Sequence, residues 1–342
     1  MINYNKNVDE LISKTFVTES GSNCLYRAFR FHDLPVEEEF EKHYQFYQTY
    51  LDGHLNDYDI KPTKLFYNYC DSMNGWASKC NEIGIVSINR GTITGMRKLF
   101  NQDPSFFNAH EDLIKIRELE ILCDSPIWEI MHQTSKLYLF YHEVGHIIQN
   151  SRNVNFDTIY ETMDPDQTYD KSKHVDEIDA DTFAGVRLGR HALKYWRKLN
   201  PEDKTIENLE SVIAVIVAGI GLNRLSIFEY SGAFYLRKFK HPHTVLRIAA
   251  LITNIINYVN QELRTSKELG EIEINKDNGY KLSFIVLKHV TDKVLGKSTR
   301  ESFRDIFLKE SSGIKTYYGE LLDAMKSNPE SAYIKTFHKP IK

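Results

Sequence analysis

The sequence predicts an α+β protein that is mostly helical and contains a small sheet. Helical spacing of apolar residues recurs at about 95–101, 110–122, 126–150, 174–198, 205–230, 243–264 and 280–296. β-branched residues concentrate in one run, residues 82–94 (EIGIVSINRGTIT), which predicts a strand that runs into a turn. With 342 residues, 42% of them hydrophobic, the chain can bury a core without disulfide support.

Three regions are expected along the chain. Residues 1–60 form a helical N-terminal region, residues 61–265 the core, and residues 266–342 a helical C-terminal region, packed together as one unit. The helix at 126–150 is predicted to start with Ser125 as N-cap and Pro126 at the first helical position. The acidic stretch 151–173 contains Asp164, Pro165 and Asp166, so it predicts a long loop between two helices.

Composition and charge exclude several classes of protein. Forty-three basic against 47 acidic residues give a net charge of −4, so no nucleic-acid partner is expected. The N-terminal residues lack an apolar signal region, and the four cysteines form no CxxC pair, which together predict reduced thiols and a cytoplasmic location. The apolar run from Val212 to Leu222 is shorter than the roughly 20 residues of a spanning helix, which predicts a buried core helix and no membrane span.

The run HEVGH, from His142 to His146, carries the chemistry. On a helix, positions i and i+4 lie one above the other, so both histidines can bind one metal ion. Glu143 can take the proton of a water that the metal activates and pass it to a leaving amine. Zinc suits this role because it lowers the pKa of a bound water to about 7. The alternative is an amphipathic helix whose histidines pair with neighbouring acids.

A catalytic zinc site needs a third protein ligand, and a candidate follows 31 residues after His146. The stretch EIDADTFAG places Glu177 and Asp181 one turn apart on the next predicted helix. We predict that Glu177 is the third ligand and that Asp181 orients a ligating histidine. The alternative is a solvated acidic helix start, which is what we expect for Asp176 and Asp179.

These segments resemble a known group of enzymes. HEVGH followed by EIDADTFAG is similar to the HExxH and ExxAD arrangement of gluzincin metallopeptidases, whose third zinc ligand is a glutamate. NGWA at residues 74–77, before the predicted strand, resembles the Asn-Ala-Phe-Ala segment of M48-type peptidases, with Gly75 in place of alanine. HPHTVLRI, from His241 to Ile248, resembles their His-Pro and Arg-Ile signature.

The resemblance covers about residues 70–250. It implies a zincin-like core whose small sheet carries an edge strand beside the HExxH helix. Among relatives without membrane spans, the chain looks most like the Lit-type phage-exclusion peptidases or the ImmA/IrrE-type regulators. We therefore expect an intracellular zinc endopeptidase, with one Zn²⁺ per chain, that cleaves a protein or peptide substrate in phage defence or regulation.

Substrate contacts are predicted in two places. An extended peptide would pair with the edge strand from Ile83 to Ile88, where Ile85 and Val86 are the candidate contacts. The oxyanion of the reaction needs a donor, and the candidates are His241, which we favour, and His243, Arg247 and Tyr141. Alternatively, His241 caps a helix beside Pro242, and Arg247 pairs with Asp181 or Glu177.

Two other classes of protein remain open. The chain could bind zinc as a non-catalytic recognition or regulatory module, in which the metal holds two helices together. It could also be a helical interaction protein without metal, in which both histidines are core residues. The stretch 151–173 is expected to cover the cleft between the ligand-bearing helices. Substrate identity and oligomeric state lie beyond the sequence.

Overall fold

The structure is a computed structural model that describes residues 4–6, 8–9, 28–32, 34–54, 58, 63–80, 83–150, 156–160, 168–227, 234–266, 273–296 and 302–337. Its strands are β1 (Thr63–Asn68), β2 (Gly75–Cys80), β3 (Ile83–Asn89) and β4 (Phe156–Tyr160). Its helices are α1 (Glu37–His54), α2 (Arg90–Phe100), α3 (Ile114–Leu122), α4 (Ile127–Gln149), α5 (Lys171–Arg197), α6 (Ile206–Ile227), α7 (Thr244–Ser266), α8 (Lys276–Val294), α9 (Phe303–Ser327) and α10 (Ala332–Phe337).

The described part is mostly helical with one small mixed sheet, which confirms the α+β class. The predicted helices lie within a few residues of α2 to α8. The largest shift is in α2, which begins at Arg90 directly after β3, where the sequence predicts a turn between the strand and a helix at 95–101. The C-terminal region is helical, as expected, through α8, α9 and α10.

The sheet has the strand order β1-β3-β2-β4. β3 pairs in parallel with β1 and antiparallel with β2, whose other side pairs antiparallel with β4. The prediction of an edge strand from Ile83 to Ile88 is therefore wrong, because β3 has a neighbour on both sides. Its apolar run is typical of a strand that is covered on both faces, and Ile85 and Val86 are buried in the core. They have no free backbone edge to offer a peptide.

The segment between α4 and α5 is not only a loop. β4 lies within it, and α5 starts at Lys171, where the Asp170 side chain accepts a hydrogen bond from the Ser172 amide at 2.8 Å. Of the stretch 151–173 that is predicted to cover the cleft, residues 151–155 and 161–167 lie outside the described residues. β4 pairs with β2, and Thr168 forms an isolated antiparallel bridge with Phe239.

α4 runs through the middle of the molecule and packs against β2, β3, α2, α5 and α6. Its N-cap position is occupied by Pro126, whose carbonyl accepts from the Glu129 amide at 2.9 Å, so the cap lies one residue later than Ser125. Nearly every residue of α4 is buried. The HExxH run therefore lies inside the fold and not on its surface.

α6 is the apolar core helix that the sequence predicts. Within the described ranges it alone is long and apolar enough to cross a membrane, with a mean hydropathy of 1.5, yet 83% of that apolar stretch is buried in the fold. Every residue from Val212 to Leu222 is buried. At Gly219 the helix approaches α4 so closely that an added methyl group would lie 2.8 Å from the Met131 carbonyl oxygen.

The terminal regions pack directly on the core. The Tyr67 hydroxyl of β1 donates to the Phe40 carbonyl of α1 at 3.1 Å. At the other end, α9 and α10 pack against α5, and the Tyr317 hydroxyl lies 3.0 Å from His174 Nδ1. Cys70 and Cys123 are free thiols.

Candidate metal centre

His142 and His146 of α4 and Glu177 of α5 form a buried group that could hold a metal ion. One ligand atom from each lies within 4.8 Å of the other two. The two imidazole Nε2 atoms are 3.2 Å apart, and Glu177 carboxylate oxygens lie 3.5 Å from His142 Nε2 and 3.8 Å from His146 Nε2. The structure thus brings together the three residues predicted as metal ligands.

The spacing of these atoms fits a zinc ion. Ligand atoms about 2.0–2.1 Å from a tetrahedral zinc lie roughly 3.3–3.4 Å from one another. The separations of 3.2, 3.5 and 3.8 Å in this group are close to that value. Two histidines and one carboxylate are also a donor set that catalytic zinc sites use. The identity of the metal does not follow from the geometry.

Small residues let the two ligand-bearing helices approach. A methyl group added at Gly145 would lie 2.8 Å from the Ala180 Cα atom of α5. The close contact brings the turn that carries Glu177 and Asp181 against the turn that carries both histidines. The small residues in HEVGH and EIDAD are therefore part of how the group is assembled.

Asp181 holds the first histidine. Its Oδ1 atom lies 3.0 Å from His142 Nδ1 and accepts a hydrogen bond from the Tyr138 hydroxyl at 2.7 Å. With a carboxylate at Nδ1, Nε2 is the ring nitrogen that can bind a metal. This contact matches the orienting role predicted for Asp181. Sequence reasoning missed Tyr138, although its position one turn before His142 places it on the same side of α4.

Arg247 of α7 connects the two carboxylates. Its guanidinium lies 2.8 Å from Glu177 Oε2 and 2.7 Å from Asp181 Oδ2, and all three side chains are at most 2% exposed. The guanidinium therefore neutralises one of the two negative charges on this side of α5. The sequence offers an ion pair of Arg247 with Asp181 or Glu177 as the alternative to a role as oxyanion donor. Arg247 forms an ion pair with both acids.

The charges of the group depend on one another. Burial disfavours a charged His142, but its contacts with Asp181 and Glu177 outweigh burial and raise its pKa to about 10. Burial also opposes the anionic forms of both acids, but the nearby Arg247 and His142 hold the pKa of each well below its usual range. Without a metal, His142 therefore carries a proton between two carboxylates. A metal would have to displace that proton, because a ligating imidazole nitrogen is unprotonated.

A second network holds His146. Its Nδ1 atom lies 3.0 Å from Gln149 Oε1, and Gln149 Nε2 donates to the Asp179 carboxylate at 3.0 Å. Asp179 in turn accepts from the Ala332 and Tyr333 amides at the start of α10, each at 2.7 Å. The expectation of a solvated Asp179 is therefore wrong, because this side chain is buried and caps a helix from the far end of the chain.

Glu143 lies beneath the sheet beside the metal group. A methyl group added at Gly75 of β2 would lie 3.2 Å from Glu143 Cγ and 2.9 Å from the Ser87 carbonyl oxygen. This close contact gives a physical reason for glycine where the resembling segment has alanine. It also shows that β2 lies directly beside Glu143.

The candidate oxyanion donors lie in different places. His241 is beside the group, with Nδ1 3.5 Å from Glu177 Oε1, and its side chain is 16% exposed. His243 accepts from the Val245 amide at 3.1 Å, so His243 rather than His241 caps α7. The Tyr141 hydroxyl lies 2.9 Å from Nε2 of His191, ten residues beyond Asp181 and about 15 Å further along α5. Of the four candidates, only His241 and Arg247 lie beside the metal group.

Comparisons with known proteins do not extend this result. No family model, no curated protein and no solved structure matches the chain. The fold and the site define an α+β protein with a buried His-His-Glu group that could bind a metal ion.

Proposed function

We propose that this chain is a zinc-dependent peptidase that hydrolyses a peptide bond in an intracellular protein substrate. The observation that carries the proposal is the grouping of His142, His146 and Glu177 around one point, with Glu143 next to the first ligand on the same helix. A helix that carries two metal ligands and a carboxylate between them is typical of metal-assisted amide hydrolysis.

Each residue of the group has a role in the proposed reaction. His142, His146 and Glu177 hold the ion, which when bound acidifies a water molecule and polarises the substrate carbonyl. The Glu143 carboxylate accepts a proton from the attacking water and later delivers it to the leaving amine. Asp181 and Gln149 keep the two imidazole rings oriented through their Nδ1 atoms.

We expect an extended peptide as the substrate. Main-chain pairing with a strand presents a peptide carbonyl in a defined orientation. β2 is the strand next to Glu143, and its outer side is already paired with β4. A peptide that approaches Glu143 along β2 must therefore displace β4.

His241 is the best placed donor for the oxyanion. It lies beside Glu177 and is the most exposed side chain at the group, whereas Arg247 is engaged by two carboxylates. A donor placed at the developing negative charge is typically worth about 3 kcal/mol in the transition state.

A second candidate function is a zinc-binding module without catalysis. The observation in its favour is burial, since His142, Glu143, His146 and Glu177 are each at most 1% exposed. Structural zinc sites are closed and have four protein ligands. In that case His241 would be the fourth ligand, and His241→Ala would lose zinc. In the peptidase the same substitution would keep zinc and lose activity.

Zinc content and proteolysis together test the proposal. The full chain is purified without a metal-affinity tag, as wild type, Glu177→Ala, Glu143→Gln and His241→Ala, and zinc is measured by elemental analysis. Each protein is then incubated with a cell lysate, and newly formed protein N-termini are labelled and identified. We expect about one zinc per chain in all but Glu177→Ala, and new N-termini with wild type only. Glu177→Ala lacks a metal ligand and His241→Ala lacks the oxyanion donor. Glu143→Gln lacks the general base, whose loss costs about 10²–10⁴-fold in rate.

The surface substitution Glu118→Gln on α3 serves as the control and should behave as wild type. Folded wild-type protein that takes up no zinc would exclude the peptidase. Zinc that is lost in His241→Ala, together with identical N-termini from wild type and Glu143→Gln, would establish the non-catalytic module instead.

A further inference from the structure

A second cluster of ionisable side chains lies on α4, before the metal ligands. Lys136 and His132, one helical turn apart, line a cavity of about 470 Å³ together with His43 of α1 and Phe100 of α2. None of the metal-binding residues borders this cavity. The cluster therefore needs an explanation of its own.

Lys136 is a buried cation. Its side chain is 3% exposed, and its Nζ atom lies 2.6 Å from His43 Nε2. Burial lowers the pKa of Lys136 to about 8, and burial and the Lys136 charge lower that of His43 to about 3. At neutral pH an ammonium group thus donates to a neutral imidazole. Among the described residues no carboxylate forms an ion pair with this ammonium.

His132 adds a second polar atom that lacks a partner. Its side chain is buried, and in the described part of the chain nothing forms a hydrogen bond with its Nε2 atom. Its other ring nitrogen, Nδ1, lies 3.6 Å from Glu129 Oε2. In the tautomer that carries its hydrogen on Nε2, the ring can donate to an acceptor in the cavity.

The acidic side chains around the cavity are already engaged or exposed. Glu39 pairs with Arg97 at 3.2 Å, and Glu129 lies beside His132. Glu38 and Lys42 are exposed. The buried part of the cavity therefore offers hydrogen-bond donors, while its carboxylates lie beside other side chains or face solvent.

We propose that this cavity binds one small oxyanion, the phosphate or carboxylate group of a small molecule, through Lys136 and His132. A buried ammonium and a buried unpartnered ring nitrogen are both costly. An oxyanion would accept hydrogen bonds from both and neutralise the ammonium, and such charge-assisted hydrogen bonds are short and strong. The cavity also leaves space for the remainder of a small ligand beside the anionic group.

Calorimetric titration of the full chain with inorganic phosphate and with acetate, at constant chloride, tests the proposal. We expect saturable binding at one site per chain, weakened at least tenfold in Lys136→Met and unchanged in Lys98→Met, an exposed lysine of α2 outside the cavity. Tighter binding of phosphate would identify a phosphate group as the ligand, and tighter binding of acetate a carboxylate.

His132→Gln provides a second variant should Lys136→Met fail to fold, and it should also weaken binding. The proposal is overturned if neither anion binds saturably below about 10 mM. It is also overturned if the cavity variants bind as tightly as wild type, since the anion would then lie elsewhere.

Discussion

The Arg247 guanidinium lies between Glu177 and Asp181, and together with the protonated His142 it balances the charge of these acids in the metal-free protein. All three side chains are buried, so none can exchange its partner for water. Removing one member of such a buried ion pair leaves an uncompensated charge, which costs about 3–5 kcal/mol.

We expect Arg247→Met to destabilise the metal-free protein strongly and to make its stability depend on zinc. The ion would supply positive charge next to Glu177, so zinc should raise the Tm of the variant more than that of wild type. Thermal unfolding of both proteins, with chelator and with zinc, measures the difference.

Arg264→Met on the same helix is the matched control. Its guanidinium pairs with Glu273 at the surface, where ion pairs contribute little to stability. An equal loss of stability in the two variants, or an equal gain from zinc in Arg247→Met and wild type, would contradict this role for Arg247.

At the scale of elements, the contact between α4 and α5 decides whether the ligands meet. Gly145 has no room for a side chain, because Ala180 lies directly against it. Two of the candidate metal ligands lie on α4 and the third on α5, so any separation of the helices moves Glu177 away from both histidines.

Gly145→Ala should therefore weaken zinc binding and lower the free energy of unfolding by about 1–3 kcal/mol, the usual cost of an extra methyl group in a packed contact. Urea unfolding and competition with a chromogenic chelator measure the two effects. Gly319→Ala in α9 is the control, since its added methyl group meets open space and should stabilise the helix by about 0.5–1 kcal/mol. If Gly145→Ala also stabilised the protein, the contact would not constrain the site.

At the scale of the whole molecule, the last helix of the chain is tied to the metal group. Asp179 accepts from the Ser331 hydroxyl and from the Ala332 and Tyr333 amides, and on its other side from Gln149, which holds His146. Hydrogen bonds thus connect α10 to a metal ligand of α4 across a large separation in sequence.

Asp179→Asn should loosen this connection. An amide has one acceptor oxygen, so its NH₂ group would face either the Ser331 and Tyr333 donors or the Ala332 and Gln149 donors. We expect a loss of about 1–3 kcal/mol in unfolding free energy. We also expect zinc affinity to fall by about tenfold, as for other residues that orient metal ligands.

Urea unfolding and chelator competition measure both quantities, with Asp176→Asn as the control. The Asp176 side chain is 39% exposed, and its ion pair within the described residues is with Lys173 at 3.7 Å. A drop in stability with unchanged zinc affinity would show that α10 supports the fold but not the metal group.

The α+β class, most helices and the placement of His142 and His146 on one face of α4 follow from local patterns in the sequence. Helical periodicity and the i, i+4 spacing act within a few residues, so they can be recognised without the fold. The same spacing places Asp181 one turn after Glu177 on α5, but the packing of α4 against α5 brings both acids to the histidines.

The tertiary structure alone decides the remaining features. β3 is central because β1 and β2 pair with it, and a run of apolar residues does not reveal how many neighbours a strand has. Asp179 is buried because α10 returns to it from the end of the chain, and Arg247 bridges two acids because α7 packs on α5. These contacts join residues far apart in sequence, and only the packing of whole helices determines which of them meet.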